Sequence, residues 1–298
     1  MYRTLVIARH TFFESVVQPI YSLLLGIGTA VLCVFAVLPF FTLGEDAVMY
    51  KAVALDVILL PVLIATLFAT SKSIYEEIED RTMLTLMSKP VRRWEVLIGK
   101  YMGIIASAAV GMLILGAVLC LCLWFRVPND YQLSTRSVDE AEIRQILDYR
   151  LMHVAGAIPS VVGLWLQVSV LAAVGVALST RFSLVVNLPV VILLYIAGNL
   201  ARFLDPAVAG RGPIARGFAG LLKTVLPYLE VFDLREKGVY STIALAGTGF
   251  ANDVNAVSLA SIWADAGLAL VYAAFYATAA LALGLLLFQT RELGGAEG

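Results

Sequence analysis

Charge is scarce in this 298-residue chain: 14% of its residues are Asp, Glu, Lys or Arg, against roughly a quarter in soluble domains. The 21 basic and 22 acidic side chains leave a net charge of −1, and the basic ones sit in short clusters between apolar segments. No basic stripe exists to hold nucleic acid, which is excluded as a partner. Histidine is scarcer still, with only His10 and His153, which are too well separated to supply a metal-ligand set. The three cysteines, Cys33, Cys120 and Cys122, all fall inside apolar runs, where a thiol behaves as a small hydrophobe and not as half of a disulfide framework. Cys120 and Cys122 point about 200° apart on a helix and cannot easily face one soft metal ion, so no metal site is expected. A phosphate-binding GxxxxGK[ST] loop is missing as well. At Gly99-Lys100, Trp94 stands where the first glycine belongs and Tyr101 where Ser or Thr is required.

Hydrophobic residues make up 60% of the sequence, and the mean hydropathy is +0.89. The chain is therefore expected to be an all-α integral membrane protein. A helix needs about 20 apolar residues to cross a hydrocarbon core about 30 Å thick. Six runs qualify, at 19–43, 52–71, 101–125, 151–178, 184–204 and 259–288. They are continuous, without the alternation of a transmembrane strand. The first is too long for the apolar region of a signal peptide and is expected to remain as an anchor. No internal repeat or separate soluble domain is evident, so residues 1–298 read as a single transmembrane domain.

Ahead of the first run, residues 2–18 place Leu5, Val6, Phe12, Phe13, Val16 and Val17 on one helical face and Arg3, Thr4, His10, Thr11, Glu14 and Ser15 on the other. This pattern predicts a helix lying in the membrane interface. Lys72, Arg81, Lys89, Arg92, Arg93 and Lys100 crowd the second connection, whereas the first, 44–51, offers Lys51 against Glu45 and Asp46. The positive-inside rule therefore puts the second connection in the cytoplasm and, with six spans, both termini with it. Connections 126–150 and 205–258 then lie outside. Within the former, Ser137 and Glu140 form a capping box that predicts a small surface helix through Leu147. In the latter, Pro206, Pro213 and Pro227 bracket a helix of about three turns, too short to cross.

The charged island between the second and third runs carries the most information. Six ionisable residues occupy the ten positions from Lys72 to Arg81, and each would cost roughly 2.5–3.5 kcal/mol at bilayer depth. The island must meet water or protein. Ile74 and Ile78 extend the second span as a stiff helix. Met83, Leu84, Leu86 and Met87 then supply an apolar patch that Ser88-Lys89-Pro90 terminates, which predicts a protruding knob. Arg92, Arg93 and Trp94 mark the membrane interface, and Gly99 and Gly103 open the third span at small-xxx-small spacing beside Lys100.

The stretch EEIEDRTMLTLMSKPVRRWEVLIGKYMG, 76–103, resembles the coupling region of ABC-2 type permeases, in the branch containing permeases of nitrous-oxide-reductase maturation and gliding motility. The likeness extends in outline over the chain, as an interfacial helix, six spans and a Thr-Arg-Glu-Leu ending at 290–293, with the architecture of type V ABC exporters. The resemblance implies a non-catalytic permease of the inner membrane, embedded in lipid and paired with a second copy or a paralogue. It would export its substrate with energy from a separate ABC ATPase, which holds ATP and Mg. It further implies that Glu76, Glu77, Glu79, Asp80, Arg81, Thr82, Met83, Leu84, Leu86, Met87, Ser88, Lys89 and Pro90 form the contact with that ATPase.

Two other readings are open to test. Glu76, Glu77 and Arg81 spell the EExxxR of intramembrane CAAX-type proteases, but neither histidine carries the flanking residues that chemistry uses. A secondary transporter would show two similar halves with broken helices, which this sequence does not. Asp56, Gln167, Asn187, Asn199 and Asp265 are polar groups within apolar spans and are the candidates for a transport pathway, with interfacial solvation the alternative for the two aspartates.

Overall fold

The computed structural model describes residues 2–38, 46–83, 91–130, 140–201, 220, 226–251 and 254–290. Helices α1 (Tyr2–Val17) and α2 (Pro19–Val37) precede α3 (Asp46–Thr70), which runs on through a π-helical turn (Ser71–Glu76) into α4 (Glu77–Glu79). After the charged hairpin come α5 (Arg93–Asp130), α6 (Glu140–Ser179) and α7 (Leu184–Leu200). A 3₁₀ turn (Leu229–Phe232), the short α8 (Arg235–Gly238) and a two-residue parallel pairing of β1 (Ile243–Ala244) with β2 (Val257–Ser258) lead into α9 (Leu259–Gln289).

Among the described residues, five helical stretches are long and apolar enough to cross a membrane: Pro19–Val37, Asp46–Glu79, Arg93–Val127, Ile143–Ser179 and Leu259–Gln289. The all-α membrane fold expected from composition is what the chain adopts. The fifth run, 184–204, forms α7 over 17 residues, about 25 Å of rise, and leaves the α-helical geometry at Ala201, beyond which 202–204 lie outside the described residues. Helices α3 and α6 are the most buried of the bundle, whereas α2 and α9 expose most of their surface. Tyr50, Leu55, Ile58, Leu59 and Leu63 of α3 are sealed from solvent, while Met49, Asp56 and Leu60 on the remaining side are exposed. The apolar stripe of α3 is wide enough to pack against several helices at once.

Several sequence expectations change. The surface helix expected at 140–147 is the first part of α6, a single helix of 40 residues, because no Gly or Pro interrupts the chain between Leu147 and Leu151. Its capping Ser137, and most of the helix bracketed by prolines, lie outside the described residues. Lys51, read as a loop charge, belongs to α3 and is 2% exposed, with its ammonium donating to the Gly238 carbonyl at 3.3 Å. Arg126, read as the start of a connection, lies inside α5. It donates to the carbonyls of Phe35 (2.9 Å), Ala36 (2.5 Å) and Leu38 (2.9 Å), so a cation caps the negative end of α2.

Helix α1 turns part of its polar face toward the bundle and leaves much of its apolar face outward. Thr11 and Ser15 are buried against the bundle, while Leu5, Val6, Phe13 and Val17 are exposed. In lipid this is the favourable arrangement, since large apolar side chains are already solvated by acyl chains and small residues permit close helix contact.

Candidate functional site

The charged hairpin grows out of α3 without a break. Ile74, Ile78 and Met83 pack with Val96, Leu97 and Ile104 of α5, Val176 of α6 and Phe288 of α9. The helix ends where Arg81 adopts a φ of 59°, the left-handed region that non-glycine residues seldom occupy. Thr82 Oγ1 donates to the Glu77 carbonyl at 3.1 Å and occupies one of the acceptors freed there. Glu76, Glu79, Asp80, Arg81 and Thr82 are left exposed as a polar rim. Met83, expected in the protruding patch, is instead 1% exposed and folds back into the bundle. The rest of that patch, 84–90, lies outside the described residues.

The base of the hairpin is pinned by a buried cation. Lys100 is 3% exposed, and its ammonium donates to Glu77 Oε1 at 2.6 Å, to Ser73 Oγ at 3.1 Å and to the Ser73 carbonyl. A π turn spaces its backbone bonds one residue wider than an α turn and is a local weak point that needs outside support. Lys100 supplies it from α5. Asn187 supplies it from α7: the two N–H groups of its amide are shared among Thr70 Oγ1 and Ser71 Oγ, both at 3.2 Å, and Ser179 Oγ of α6 at 2.8 Å. Sequence reasoning placed Lys100 among the interface and packing residues and Asn187 among pathway candidates. The structure puts both at the root of the hairpin, with Asn187 fully buried.

Two further contacts fasten the returning strand of the hairpin. The Glu95 carboxylate accepts from the Arg92 amide at 2.8 Å, a capping interaction that starts α5. Arg93 Nη1 donates to the carbonyls of Phe288 (2.6 Å) and Gln289 (3.0 Å), tying the start of α5 to the end of α9. Trp94 is 40% exposed beside these groups. Gly99 and Gly103 form the seat of α1. A Cβ at Gly103 would stand 2.5 Å from the Ala8 carbonyl oxygen and 2.8 Å from Thr11 Cβ. Their small-xxx-small spacing thus serves α1, lying against the hairpin root.

The remaining pathway candidates lie toward the other end of α3, where Asp56 is 21 residues, about 31 Å of helix, before Glu77. Asp56, Gln167 and Asn199 line one polar cavity of about 150 Å³ together with Tyr195, Glu230, Asp233 and Arg235. Arg235 makes a two-pronged ion pair with Asp56, one prong at 3.1 Å. Burial works against the Arg235 charge, but the hydrogen bonds and charge of Asp56, with Asp233 beyond, outweigh it and raise its pKa above the ordinary arginine value. Asp265 stands apart from this cavity and accepts from Lys237 at 2.6 Å. Both aspartates are thus ion-paired to α8, and neither pairing carries a sequence signal, because the partners are 179 and 28 residues away. Asn199 donates to Tyr195 of its own helix at 2.9 Å.

Among the described residues no group of three or more His, Cys, Asp or Glu side chains is placed to hold a metal ion. The cysteines are free thiols. Among curated proteins, none matches the chain. Residues 12–293 match the family described as ABC-2 family transporter protein, a span that takes in every helix from the middle of α1 through α9. The chain belongs to the ABC-2 transporter family and is a multi-pass transmembrane subunit of an ATP-binding cassette transporter.

Proposed function

We propose that this subunit is an export permease driven by a separate ATPase chain, which binds ATP and Mg and receives the hairpin 72–100 in a surface cleft. Two such permeases, identical or paralogous, pair to enclose the transport path in the inner membrane. Both termini and the hairpin face the cytoplasm, and connections 126–150 and 205–258 face the other side. Residues 1–298 act as one permease domain, and catalysis resides in the partner. The likeness to nitrous-oxide-reductase maturation and gliding-motility permeases rests on the residue order of the hairpin, while the family match is to ABC-2 transporters at large.

One observation carries this reading: the root of the exposed hairpin is locked to four helices of the bundle by Lys100, Asn187 and Arg93. A force on the tip would otherwise be dissipated by bending of the π turn. With the turn clamped by an ammonium and an amide, displacement of the tip passes to α3, α5, α6 and α7 together. Closely packed interfaces transmit such a shift because they switch between discrete arrangements and do not deform continuously.

The test is co-purification. The chain, solubilised from its native membrane, is expected to bring a Walker-motif ATPase with it, and replacing Leu84, Leu86 and Met87 together by Glu should abolish the association. Transport by the purified chain alone, with no ATPase present, would overturn the proposal.

A further inference from the structure

The polar cavity under the 229–238 segment holds more negative than positive groups. Asp56, Glu230 and Asp233 contribute three carboxylates against the single guanidinium of Arg235. Arg235 is committed to Asp56 by its two-pronged pair and lies 3.5 Å from Asp233. Among the described residues Glu230 pairs with the Tyr228 hydroxyl, at 2.5 Å. Among the described residues lining the cavity, Arg235 is the one cation set against three carboxylates.

Gln167 provides an independent sign of a ligand. It is 4% exposed and sits on the cavity wall from α6, and among the described residues its side chain takes part in no hydrogen bond. The amide is not sealed inside the protein but reaches the cavity, where its polar atoms are open to a ligand. The other wall residues Leu59 and Leu164 give the cavity an apolar floor. A volume of about 150 Å³ matches a cavity that takes one benzene-sized group. The carboxylates are not gathered tightly enough to ligate a bare metal ion among the described residues.

We propose that this cavity binds an organic ammonium group carried on a small apolar body, with Asp233 and Glu230 accepting its N–H groups and the Gln167 carbonyl completing the set. The apolar body rests on Leu59 and Leu164. The inference deepens the transport reading and rests on it, since it names the chemical class that the subunit takes from this cavity. The ammonium could belong to a soluble amine or to the head group of an amine-bearing lipid, which present the same chemistry.

The experiment uses the full chain in nanodiscs of phosphatidylglycerol, which carries no amine, and reads thermal unfolding during titration with benzylammonium. Saturable stabilisation is expected, with benzyl alcohol, the neutral compound of equal size, at least about tenfold weaker. The double variant Glu230→Gln with Asp233→Asn leaves the Asp56–Arg235 pair in place and should lose about tenfold in benzylammonium affinity. Gln167→Glu adds a carboxylate at the unpartnered amide and should tighten binding; it serves if the double variant fails to fold. In phosphatidylethanolamine nanodiscs, loss of the benzylammonium response identifies a lipid amine as the occupant, and an unchanged response identifies a soluble amine. Equal effects of benzylammonium and benzyl alcohol, or no effect of either Gln167→Glu or the double variant, would overturn the proposal. The binding readout needs no ATPase, so a failure here is separable from a failure of the transport reading.

Discussion

Replacing Lys100 by Met keeps the length of the side chain and deletes the ammonium that pins the hairpin root. Three acceptors lose their donor at once: Glu77 Oε1, Ser73 Oγ and the Ser73 carbonyl. Breaking a buried ion pair from one side costs about 3–5 kcal/mol, mostly through the charge left behind. The Glu77 side chain retains 24% of its exposure and recovers part of its hydration, which places the expected loss near the bottom of that range, at about 3 kcal/mol. Met fills most of the vacated volume, so no large cavity adds to this. The assay is reversible unfolding in mixed micelles of the wild type, Lys100→Met, Glu77→Leu and the double variant. Coupling between the two positions of about 2 kcal/mol or more is expected, with the double variant less impaired than the sum of the singles. Additive losses, or a loss below about 1 kcal/mol for Lys100→Met, would refute the view that this pair locks the π turn.

Gly103→Leu should detach α1 from α5, because even a Cβ there collides with the Ala8 backbone, and faster thiol labelling of a cysteine placed at Thr11, which is 1% exposed in the seated helix, would report the separation. Gly26→Leu, where a Cβ meets nothing within 4 Å, is the control and should leave stability within about 0.5 kcal/mol of wild type. The Asp56–Arg235 pair is partly exposed, so Asp56→Arg or Arg235→Asp alone should cost only about 1 kcal/mol after solvent screening, and the double reversal should restore the wild-type melting temperature. Asn187→Leu removes the amide that joins Thr70, Ser71 and Ser179, leaving their hydroxyl oxygens without this donor inside the bundle, although Thr70 keeps its bond to the Leu67 carbonyl. A loss of about 2–4 kcal/mol is expected in the same unfolding assay.

The bundle was readable from runs of apolar residues, because burial in lipid demands about 20 of them per crossing and the chain repeats that demand. Limits of the helices were less readable. No breaker separates residues 140–147 from the span that follows, so a capping signal was taken for a separate helix when α6 runs through. The two faces of α1 were legible from its periodicity, but which small polar residues seat it on the bundle was not, since Thr11 and Ser15 read equally well as solvated positions. The hairpin announced itself by its charge, but the use of Lys100 did not, since a lysine near a span end reads equally well as a membrane anchor. The convergence of Asp56, Gln167 and Asn199 was open only as a set of candidates. Their common cavity depends on Arg235 and Glu230 from a connection whose placement no periodicity encodes.

The central claim is that the hairpin after α3 is gripped by a separate nucleotide-hydrolysing subunit. Photocrosslinking from Leu86 in native membranes, with Val254, which is 97% exposed, as the comparison position, tests it directly. The account predicts a crosslink from Leu86 to an ATPase whose yield changes between nucleotide-free and ATP-bound membranes, and none from Val254. A crosslink to that ATPase from Val254 and not from Leu86, or none from Leu86 in either nucleotide state, would contradict it.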